Sequence, residues 1–128
     1  MKRILIADDD PAILDGLSTL LSRSYEVVAA RNGEDLLTEL DRKPFDLVLL
    51  DLRMPLVQGE HAIAAIQAAG GAMPVIVMSG NRGRIEEALR RGANDSLAKP
   101  FGFRELEEKI ARLIGAPGKA PPSPPPAA

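Results

Sequence analysis

At two separate places in the chain, aspartate directly follows a short apolar run. Residues 8–10 are three consecutive aspartates that follow the apolar residues 4–7, and Asp51 follows the apolar run 47–50. Carboxylates that are brought close together repel one another, so their ionised forms need a cation nearby. Oxygen-only ligands suit Mg²⁺, which in proteins often bridges carboxylate and phosphate oxygens. The pattern therefore predicts a magnesium-dependent phosphoryl-acceptor site in which Asp51 is the nucleophile.

A hydroxyl and a lysine follow two further strand-like runs. Ser79 comes after residues 75–78, and Lys99 comes after residues 95–98. Side chains of these two types can hold the oxygens of a phosphoryl group during its transfer. Taken singly, each of these polar residues has a structural explanation, as a helix cap, a turn residue or a solvated charge. Their coincidence at four strand ends favours the phosphoryl-acceptor site.

The hydrophobic pattern predicts the scaffold that brings these strand ends together. The stretch 45–55 contains an apolar run without polar alternation, which is typical of a strand buried on both faces of a parallel sheet. In open α/β sheets, ligands bind at the carboxyl ends of the strands. Strands alternate with helices five times, which predicts a parallel sheet with helices on both faces. The predicted strands are residues 3–8, 25–30, the apolar run of 45–55, 74–78 and a weak fifth strand at 95–98.

The predicted helices are delimited by proline, glycine and apolar spacing. The first begins at Pro11 with an aspartate before it as cap, and the fourth is brief and ends at Gly92. Gly80 and Gly83 predict a loose loop between the fourth strand and the fourth helix. The third and fifth helices are predicted at residues 59–69, before Gly70 and Gly71, and at residues 103–114. Apolar positions at helical spacing mark the other three helices: Ile13, Leu14, Leu17, Leu20 and Leu21, then Leu36, Leu37 and Leu40 before Pro44, then Ile85, Ala88 and Leu89.

Length and composition indicate one domain followed by a segment of different character. The 128 residues carry a formal net charge of −2 and no cysteine, which speaks against a nucleic-acid surface, a disulfide framework and a thiolate metal site. No stretch fits a membrane span or a signal peptide, so we expect a soluble, cytoplasmic protein without membrane partners. We divide the chain into a domain at residues 1–114 and a tail at residues 115–128. The tail has six prolines and no large apolar residue, so disorder is favoured over a linker to an output domain or a docking segment.

From residue 3 to the end of the fifth predicted helix, these motifs resemble the receiver domains of two-component response regulators. The matching segments are ILIADD at residues 4–9, DLVLLDLRMP at 46–55, Gly59, VIVMSG at 75–80, Gly92 with Ala93, and KPF at 99–101. The resemblance implies a flavodoxin-like α/β fold, which is a doubly wound, three-layer (βα)5 sandwich with strand order 2-1-3-4-5. It implies a receiver of the single-domain type.

The resemblance also implies the role of each acidic residue. Asp51 would accept a phosphoryl group from a histidine kinase or a histidine phosphotransfer protein. Asp9, Asp51 and the backbone carbonyl of Arg53 would bind Mg²⁺, and Asp8 would act on the ion through water. A downstream protein would recognise the face formed by helix 4, strand 5 and helix 5.

By the same resemblance, Lys99 would pair with the phosphoryl group, and Ser79 would hydrogen-bond to it on activation. Arg53 and Asn81 match positions that line the route of the hydrolytic water, so they would set the lifetime of the phosphoryl group. Arg53 either shields the site or pairs with the phosphoryl group; the alternative is a solvated arginine. His61 is the only histidine, and we expect a surface residue without a chemical role.

Two features depart from the usual receiver pattern. Ser96 stands three positions before Lys99, where receiver domains usually carry an aromatic residue whose inward rotation reports phosphorylation. The stretch from Ser79 to Lys99 is also shorter than is common in the family. Both departures fall on the fourth-helix and fifth-strand face. We therefore expect the phosphorylation chemistry without the aromatic relay, with Ser79 signalling by ordering the loop at residues 80–84 and shifting a short fourth helix.

Two other classes of function are compatible with parts of this pattern. One is a pseudo-receiver, a protein-binding module that holds a partner without phosphotransfer; Ser96 favours it, and the intact acidic residues disfavour it. The other is a phosphatase that works through an aspartyl-phosphate. Such an enzyme needs a second acid/base carboxylate close after the nucleophile, and Arg53 occupies the position two residues after Asp51. We therefore do not expect an enzyme, and slow self-phosphorylation from small donors and self-dephosphorylation are the only catalysis we expect.

Overall fold

Five strands and five helices alternate in the computed structural model, which describes residues 1–53, 59–70 and 73–115. The elements are β1 (Arg3–Ala7), α1 (Pro11–Leu21), β2 (Glu26–Ala30), α2 (Gly33–Arg42), β3 (Leu47–Asp51), α3 (Gly59–Gly70), β4 (Val75–Ser79), α4 (Arg82–Arg90), β5 (Asp95–Ala98) and α5 (Phe103–Ile114). All strand pairs are parallel, and their order is β2-β1-β3-β4-β5. The predicted flavodoxin-like topology is confirmed. The predictions for Met54, Pro55 and Gly71, and for the tail from residue 116 onward, concern positions outside the described residues.

The central strands are buried because helices cover both faces of the sheet. Every residue of β3 and β4 is buried. Leu47 and Leu49 belong to one core with α1 and α5, while Val48 and Leu50 belong to a second core with α2, α3 and α4. Alternate residues of an uninterrupted apolar strand thus fill two separate cores. No helix in the described part of the chain is long and apolar enough to cross a membrane.

Several predicted boundaries shift by one residue, as helix and strand ends commonly do. Asp8, Tyr25 and Pro74 lie just outside their strands, whereas Ser79 is the last residue of β4. The predicted cap of α1 is confirmed, because Oδ1 of Asp10 accepts hydrogen bonds from the backbone N–H groups of the first turn.

Three predicted inward leucines are more exposed than expected. Leu20 is 36% exposed, and Leu37 and Leu89 are each 41% exposed. Each directly follows or precedes a buried residue of its helix. Consecutive helical residues point about 100° apart, so only one of such a pair faces the sheet. The apolar stripes of α1, α2 and α4 are therefore narrower than the sequence suggests.

The segment before α4 is shorter than predicted. The prediction of a loose loop over residues 80–84 is wrong, because α4 already begins at Arg82. Asn81 is the helix cap, and its Oδ1 accepts a hydrogen bond of 3.1 Å from the backbone N–H of Arg84. This cap offsets part of the unfavourable helix propensity of Gly83 in the first turn. The connection from β4 to α4 consists of Gly80 and Asn81 alone.

Gly92 ends the turn after α4 with a φ of 115°, a conformation that side-chain-bearing residues rarely adopt. A Cβ at this position would also collide with Nε2 of Gln67. We expect Gly92→Ala to lower the free energy of unfolding by about 1–2 kcal/mol in urea denaturation. Gly16→Ala is the matched control, because a Cβ in the middle of α1 meets no atom within 4 Å. Alanine should leave stability unchanged there or raise it by up to about 1 kcal/mol. Equal effects at the two positions would contradict backbone strain at Gly92.

Candidate functional site

The carboxyl edge of the sheet brings four strand ends together. Asp51 and Ser79 are the last residues of β3 and β4, and Asp8 and Lys99 directly follow β1 and β5. Parallel strands end at the same edge, which explains why residues far apart in sequence meet there. Carboxylate oxygens of Asp8, Asp9 and Asp51 lie within 4.8 Å of one another. The acidic cluster expected from the sequence is therefore present in the structure.

Asp8 is fully buried, and protein groups contact both of its carboxylate oxygens. Oδ1 accepts a hydrogen bond of 2.9 Å from the backbone N–H of Asp10, which lies directly before α1. Oδ2 lies 3.2 Å from Nζ of Lys99. Burial of a carboxylate costs free energy unless the carboxylate is paired and hydrogen-bonded. Asp8 is consequently fixed in position by α1 on one side and by the end of β5 on the other.

Asp51 is 3% exposed, and its surroundings shift its pKa. Burial, followed by the charge of Asp8, raises the pKa of Asp51 to about 6, although the backbone N–H of Arg53 and the Lys99 ammonium oppose this rise. These two donors lie 3.2 Å and 3.4 Å from Oδ1. The side chain of Asp8 also hydrogen-bonds to the Asp51 carboxylate, so the two buried carboxylates form one interacting pair.

A polar cleft of about 450 Å³ opens above these carboxylates. It is lined by Asp8, Asp9, Asp10, Asp51, Arg53, Gly80 and Lys99. Asp9 and Arg53 are exposed at its surface, while Asp8 and Asp51 are buried. The cleft thus combines two buried carboxylates, a lysine and access from solvent.

The donor set of the cleft fits a hard divalent cation. Its side-chain donors are carboxylate oxygens, and burial, followed by the charge of Asp8, raises the pKa of Asp51 despite the nearby Lys99 ammonium. Mg²⁺ prefers such oxygen ligands and usually keeps several waters, for which the exposed side of the cleft has room. The residues present are therefore suited to hold Mg²⁺.

Ser79 lies beside the cleft and does not line it. Its side chain is 1% exposed, and its Oγ accepts a hydrogen bond of 3.0 Å from the backbone N–H of Asn81. Asn81 itself is exposed, but its side chain already caps α4. His61 is exposed on α3, which agrees with its predicted surface position.

The family model of the response regulator receiver domain matches residues 4–111. The chain belongs to this family. Receiver domains of two-component systems are signalling domains, and the fold and acidic cleft described above agree with this assignment.

Curated response regulators contain segments similar to this receiver domain. Response regulator protein FleR of Pseudomonas aeruginosa PAO1 is 38% identical over 113 residues, which cover 86% of this chain and 24% of FleR. Transcriptional regulatory protein PrrA of Mycobacterium tuberculosis is 33% identical over 116 residues, which cover 88% of this chain and 49% of PrrA. The chain thus spans only about a quarter to a half of these relatives.

Solved receiver structures share the fold over nearly their whole length. The receiver domain of a sensor histidine kinase from Pseudomonas aeruginosa PAO1, with a magnesium ion coordinated in its active site cleft, is 32% identical with a TM-score of 0.81. The match covers 90% of this chain and 98% of that domain. Response regulator TrrA of Thermotoga maritima, in complex with Mg²⁺ and beryllium fluoride, is 32% identical with a TM-score of 0.80. That match covers 89% of this chain and 100% of TrrA.

In this receiver domain, Lys109 of α5 contacts the strand that carries Ser96. Its Nζ lies 3.2 Å from Oδ1 of Asp95 and donates a hydrogen bond to the carbonyl oxygen of Ser96. Lys109 is not among the residues predicted from the sequence to form the site. The only local signal is the helical spacing to Glu105, whose carboxylate lies 3.8 Å from Nζ. Its contacts with β5 span 13 or 14 residues and could not be read from that spacing.

Proposed function

We propose that this receiver domain accepts a phosphoryl group on Asp51 from a histidine kinase or a histidine phosphotransfer protein. The observation that carries the proposal is the buried Asp51 carboxylate beside the open cleft, whose Oδ1 lies 3.4 Å from Nζ of Lys99. A nucleophile needs access for the phosphoryl donor, and a transferring phosphoryl group needs a cation beside it.

The phosphoryl transfer requires only groups that the phosphohistidine donor, the cleft and water supply. A carboxylate oxygen of Asp51 attacks phosphorus, a P–O bond forms, and the P–N bond of the phosphohistidine breaks. The electron pair of that bond stays on the imidazole nitrogen, which takes up a proton from water. Lys99 pairs with oxygens of the phosphoryl group as it arrives on Asp51.

We propose Asp9, Asp51 and the backbone carbonyl of Arg53 as the Mg²⁺ ligands, with Asp8 acting through water. The burial of Asp8 and the contacts to both of its oxygens support an indirect role. When bound, Mg²⁺ supplies positive charge opposite the phosphoryl oxygens and lowers the repulsion among the carboxylates.

The lifetime of the phosphoryl group depends, in this proposal, on Arg53 and Asn81. Arg53 is exposed at the rim of the cleft, from which its guanidinium reaches the approaching water or the phosphoryl oxygens. Asn81 is held as the cap of α4, so its side chain is less free to orient water than its position alone suggests.

Phosphorylation then changes the binding of a downstream protein at the face formed by α4, β5 and α5. Gly80 and Ser96 are the switch positions of this face: Gly80 connects the cleft to α4, and Ser96 replaces the aromatic residue. In this proposal residues 1–114 form the receiver unit and residues 115–128 form a separate tail. We also propose that the protein is located in the cytoplasm.

A pseudo-receiver that binds its partner without phosphotransfer is the second candidate. Two features favour this candidate: the serine at position 96, and the hydrogen bond from the Lys109 ammonium to the carbonyl oxygen of Ser96. This bond couples β5 to α5 independently of the cleft. The acidic cleft is intact, however, so phosphotransfer remains our first proposal.

Intact-mass spectrometry after incubation with Mg²⁺ and acetyl phosphate tests the proposal. We expect a mass gain of one phosphoryl group in the wild-type chain and none in Asp51→Asn. A folded wild-type chain that gains no mass from acetyl phosphate and none from phosphorylated histidine kinases would favour the pseudo-receiver.

A further inference from the structure

We propose that an apolar groove beside the acceptor cleft binds a proline-rich segment of this same chain, residues 121–126. The segment reads PPSPPP and lies outside the described residues. The proposal does not depend on phosphotransfer, because the groove lies between α1 and the turn that leads from β5 into α5. The sequence alone favours disorder for the tail, and the groove is the observation that supports docking instead.

The groove has a volume of about 510 Å³ and a largely apolar lining. From α1 it is lined by apolar residues and a glycine between Ala12 and Leu20, and from the turn by Pro100 and Phe101. Lys99 is the one charged residue among the described residues that line it, and Leu20 is 36% exposed. Such a groove leaves contiguous apolar surface open to water, which is typical of a binding site.

The groove has the length and the aromatic ring that a polyproline segment requires. Its lining residues from Ala12 to Leu20 span about 12 Å along α1, because an α-helix rises about 1.5 Å per residue. Four residues in polyproline II conformation cover the same distance, since that helix rises about 3.1 Å per residue. Phe101 is only partly buried, and grooves with such rings bind proline-rich segments whose conformation is ordered before binding.

Gly16 leaves the middle of the groove open. It lies halfway along the lining part of α1, and a Cβ at this position meets no atom within 4 Å. Glycine is less favourable than alanine within a helix, so helix stability does not explain its presence. The missing side chain allows the backbone of a ligand to approach α1 closely.

The tail is long enough to reach the groove. α1 and α5 pack on the same face of the sheet, and both begin at its carboxyl edge, where the groove lies. The end of α5 is therefore about 18 Å away, the length of its 12 residues. Gly115 follows with a φ of 92°, which lets the chain change direction. Residues 116–120 in extended conformation cover about 16 Å, which brings residues 121–126 alongside the groove.

The charges of the segment and of the groove are compatible. Residues 121–126 carry no charge. The ammonium of Lys99 contacts Asp8 and Asp51 in the cleft, so the groove meets mainly the alkyl part of this side chain. A short tether raises the effective concentration of the segment to about the millimolar range, so even a weak groove is occupied by its own tail.

Paramagnetic NMR of the full chain tests the docking. The chain has no cysteine, so Ala127→Cys gives a single attachment site for a nitroxide directly after the segment. We expect the nitroxide to broaden the amide signals of residues 12–20 and to leave those of residues 85–90 sharp, because α4 lies on the opposite face of the sheet. Even broadening over the whole surface, or none at residues 12–20, would overturn the proposal.

Gly16→Leu in the nitroxide-labelled chain fills the groove. Open space around Gly16 lets this variant fold, and the broadening at residues 12–20 should be lost. Thr19→Leu is the matched control, because it adds the same side chain to an exposed position of α1 that does not line the groove. The control should keep the broadening, and equal behaviour of the two variants would contradict docking in the groove.

A mixed sample separates the chain's own tail from a second copy. Isotope-labelled chains without nitroxide are mixed with unlabelled chains that carry it, and the signals of residues 12–20 should stay sharp. Broadening in this mixture would show that a second copy fills the groove, and it would overturn docking within one chain.

Pro124→Gly combined with Pro125→Gly changes no residue of the described fold. Glycine removes the preformed conformation of the segment, so the broadening at residues 12–20 should be largely lost in the nitroxide-labelled chain. Unchanged broadening would show that the groove does not recognise the prolines, and the proposal would fail.

Discussion

An Asp51→Asn variant is expected to be more stable than the wild-type protein above pH 7 in the absence of divalent cations. The wild-type carboxylate is buried beside Asp8, and its pKa in the folded protein is raised to about 6. An asparagine keeps an acceptor for the Arg53 N–H and removes the negative charge. A pKa elevation of this size already includes the pairing with Lys99 and corresponds to a gain of about 2–3 kcal/mol for the neutral side chain. The midpoint of thermal unfolding should rise by about 5 °C or more.

The pH dependence of stability provides a second test of the same prediction. Because the folded protein binds the Asp51 proton more tightly than the unfolded chain, the ionised group opposes folding above pH 6. Acidification from pH 6 to pH 4 should remove this destabilisation in the wild type, and the difference from Asp51→Asn should vanish near pH 4. Thermal unfolding between pH 4 and pH 8 in EDTA measures both curves.

The control for this prediction is Asp15→Asn, which removes an exposed charge from α1. It should change stability by less than about 0.5 kcal/mol at any of these pH values. Addition of Mg²⁺ should stabilise the wild type and the control, and should have little effect on Asp51→Asn. A wild-type chain as stable as Asp51→Asn at pH 8 without metal would show that Asp51 is not destabilised by its surroundings.

A Lys99→Met variant is expected to lose about 100-fold in the rate of phosphorylation by acetyl phosphate. Lys99 is the ammonium that contacts both Asp8 and Asp51, at 3.2 Å and 3.4 Å. Methionine keeps a similar length and volume but supplies no charge to the arriving phosphoryl group. Time-resolved intact-mass spectrometry at fixed Mg²⁺ gives the rate.

Lys99→Met should also be less stable than the wild-type protein in the absence of metal. Removal of the ammonium leaves Asp8 buried with one unpaired oxygen, so stability should fall by about 2 kcal/mol or more. Mg²⁺ should restore more stability to Lys99→Met than it adds to the wild type, because the cation replaces the missing charge. Lys109→Met is the matched control. It also removes a half-buried ammonium, but this ammonium contacts the start of β5, at the opposite end of the strand from Lys99. It should lower stability and leave the phosphorylation rate within about twofold of the wild type. Equal rates for the two variants would contradict the role of Lys99.

The elements that could be predicted from the sequence are those specified by local pattern. The run at residues 47–50 predicts a strand buried on both faces, and the aspartate before Pro11 predicts the cap of α1. The acidic cluster was predictable because a parallel sheet collects its strand ends on one edge. For the same reason Lys99 could be associated with Asp51 across 48 residues.

Features that depend on tertiary contacts could not be predicted from local pattern. The exposure of Leu20 and Leu89 depends on which member of an adjacent apolar pair faces the sheet, and the sequence offers both. The early start of α4 depends on the Asn81 cap, whose effect competes with two nearby glycines. The contacts of Gln67 and Lys109 join residues of different elements, so no spacing within one helix predicts them.

Strands β2 and β5 are the outer strands of the sheet, where unpaired backbone groups can recruit a strand from another molecule. Both begin with a charged residue that is engaged in an ion pair: Glu26 lies 3.2 Å from Arg3, and Asp95 lies 3.2 Å from Lys109. An added apolar strand would have to bury these charges, and β5 offers only four residues for pairing. We therefore expect the contact between Lys109 and β5 to protect the sheet against edge-to-edge aggregation, in addition to linking the strand to α5.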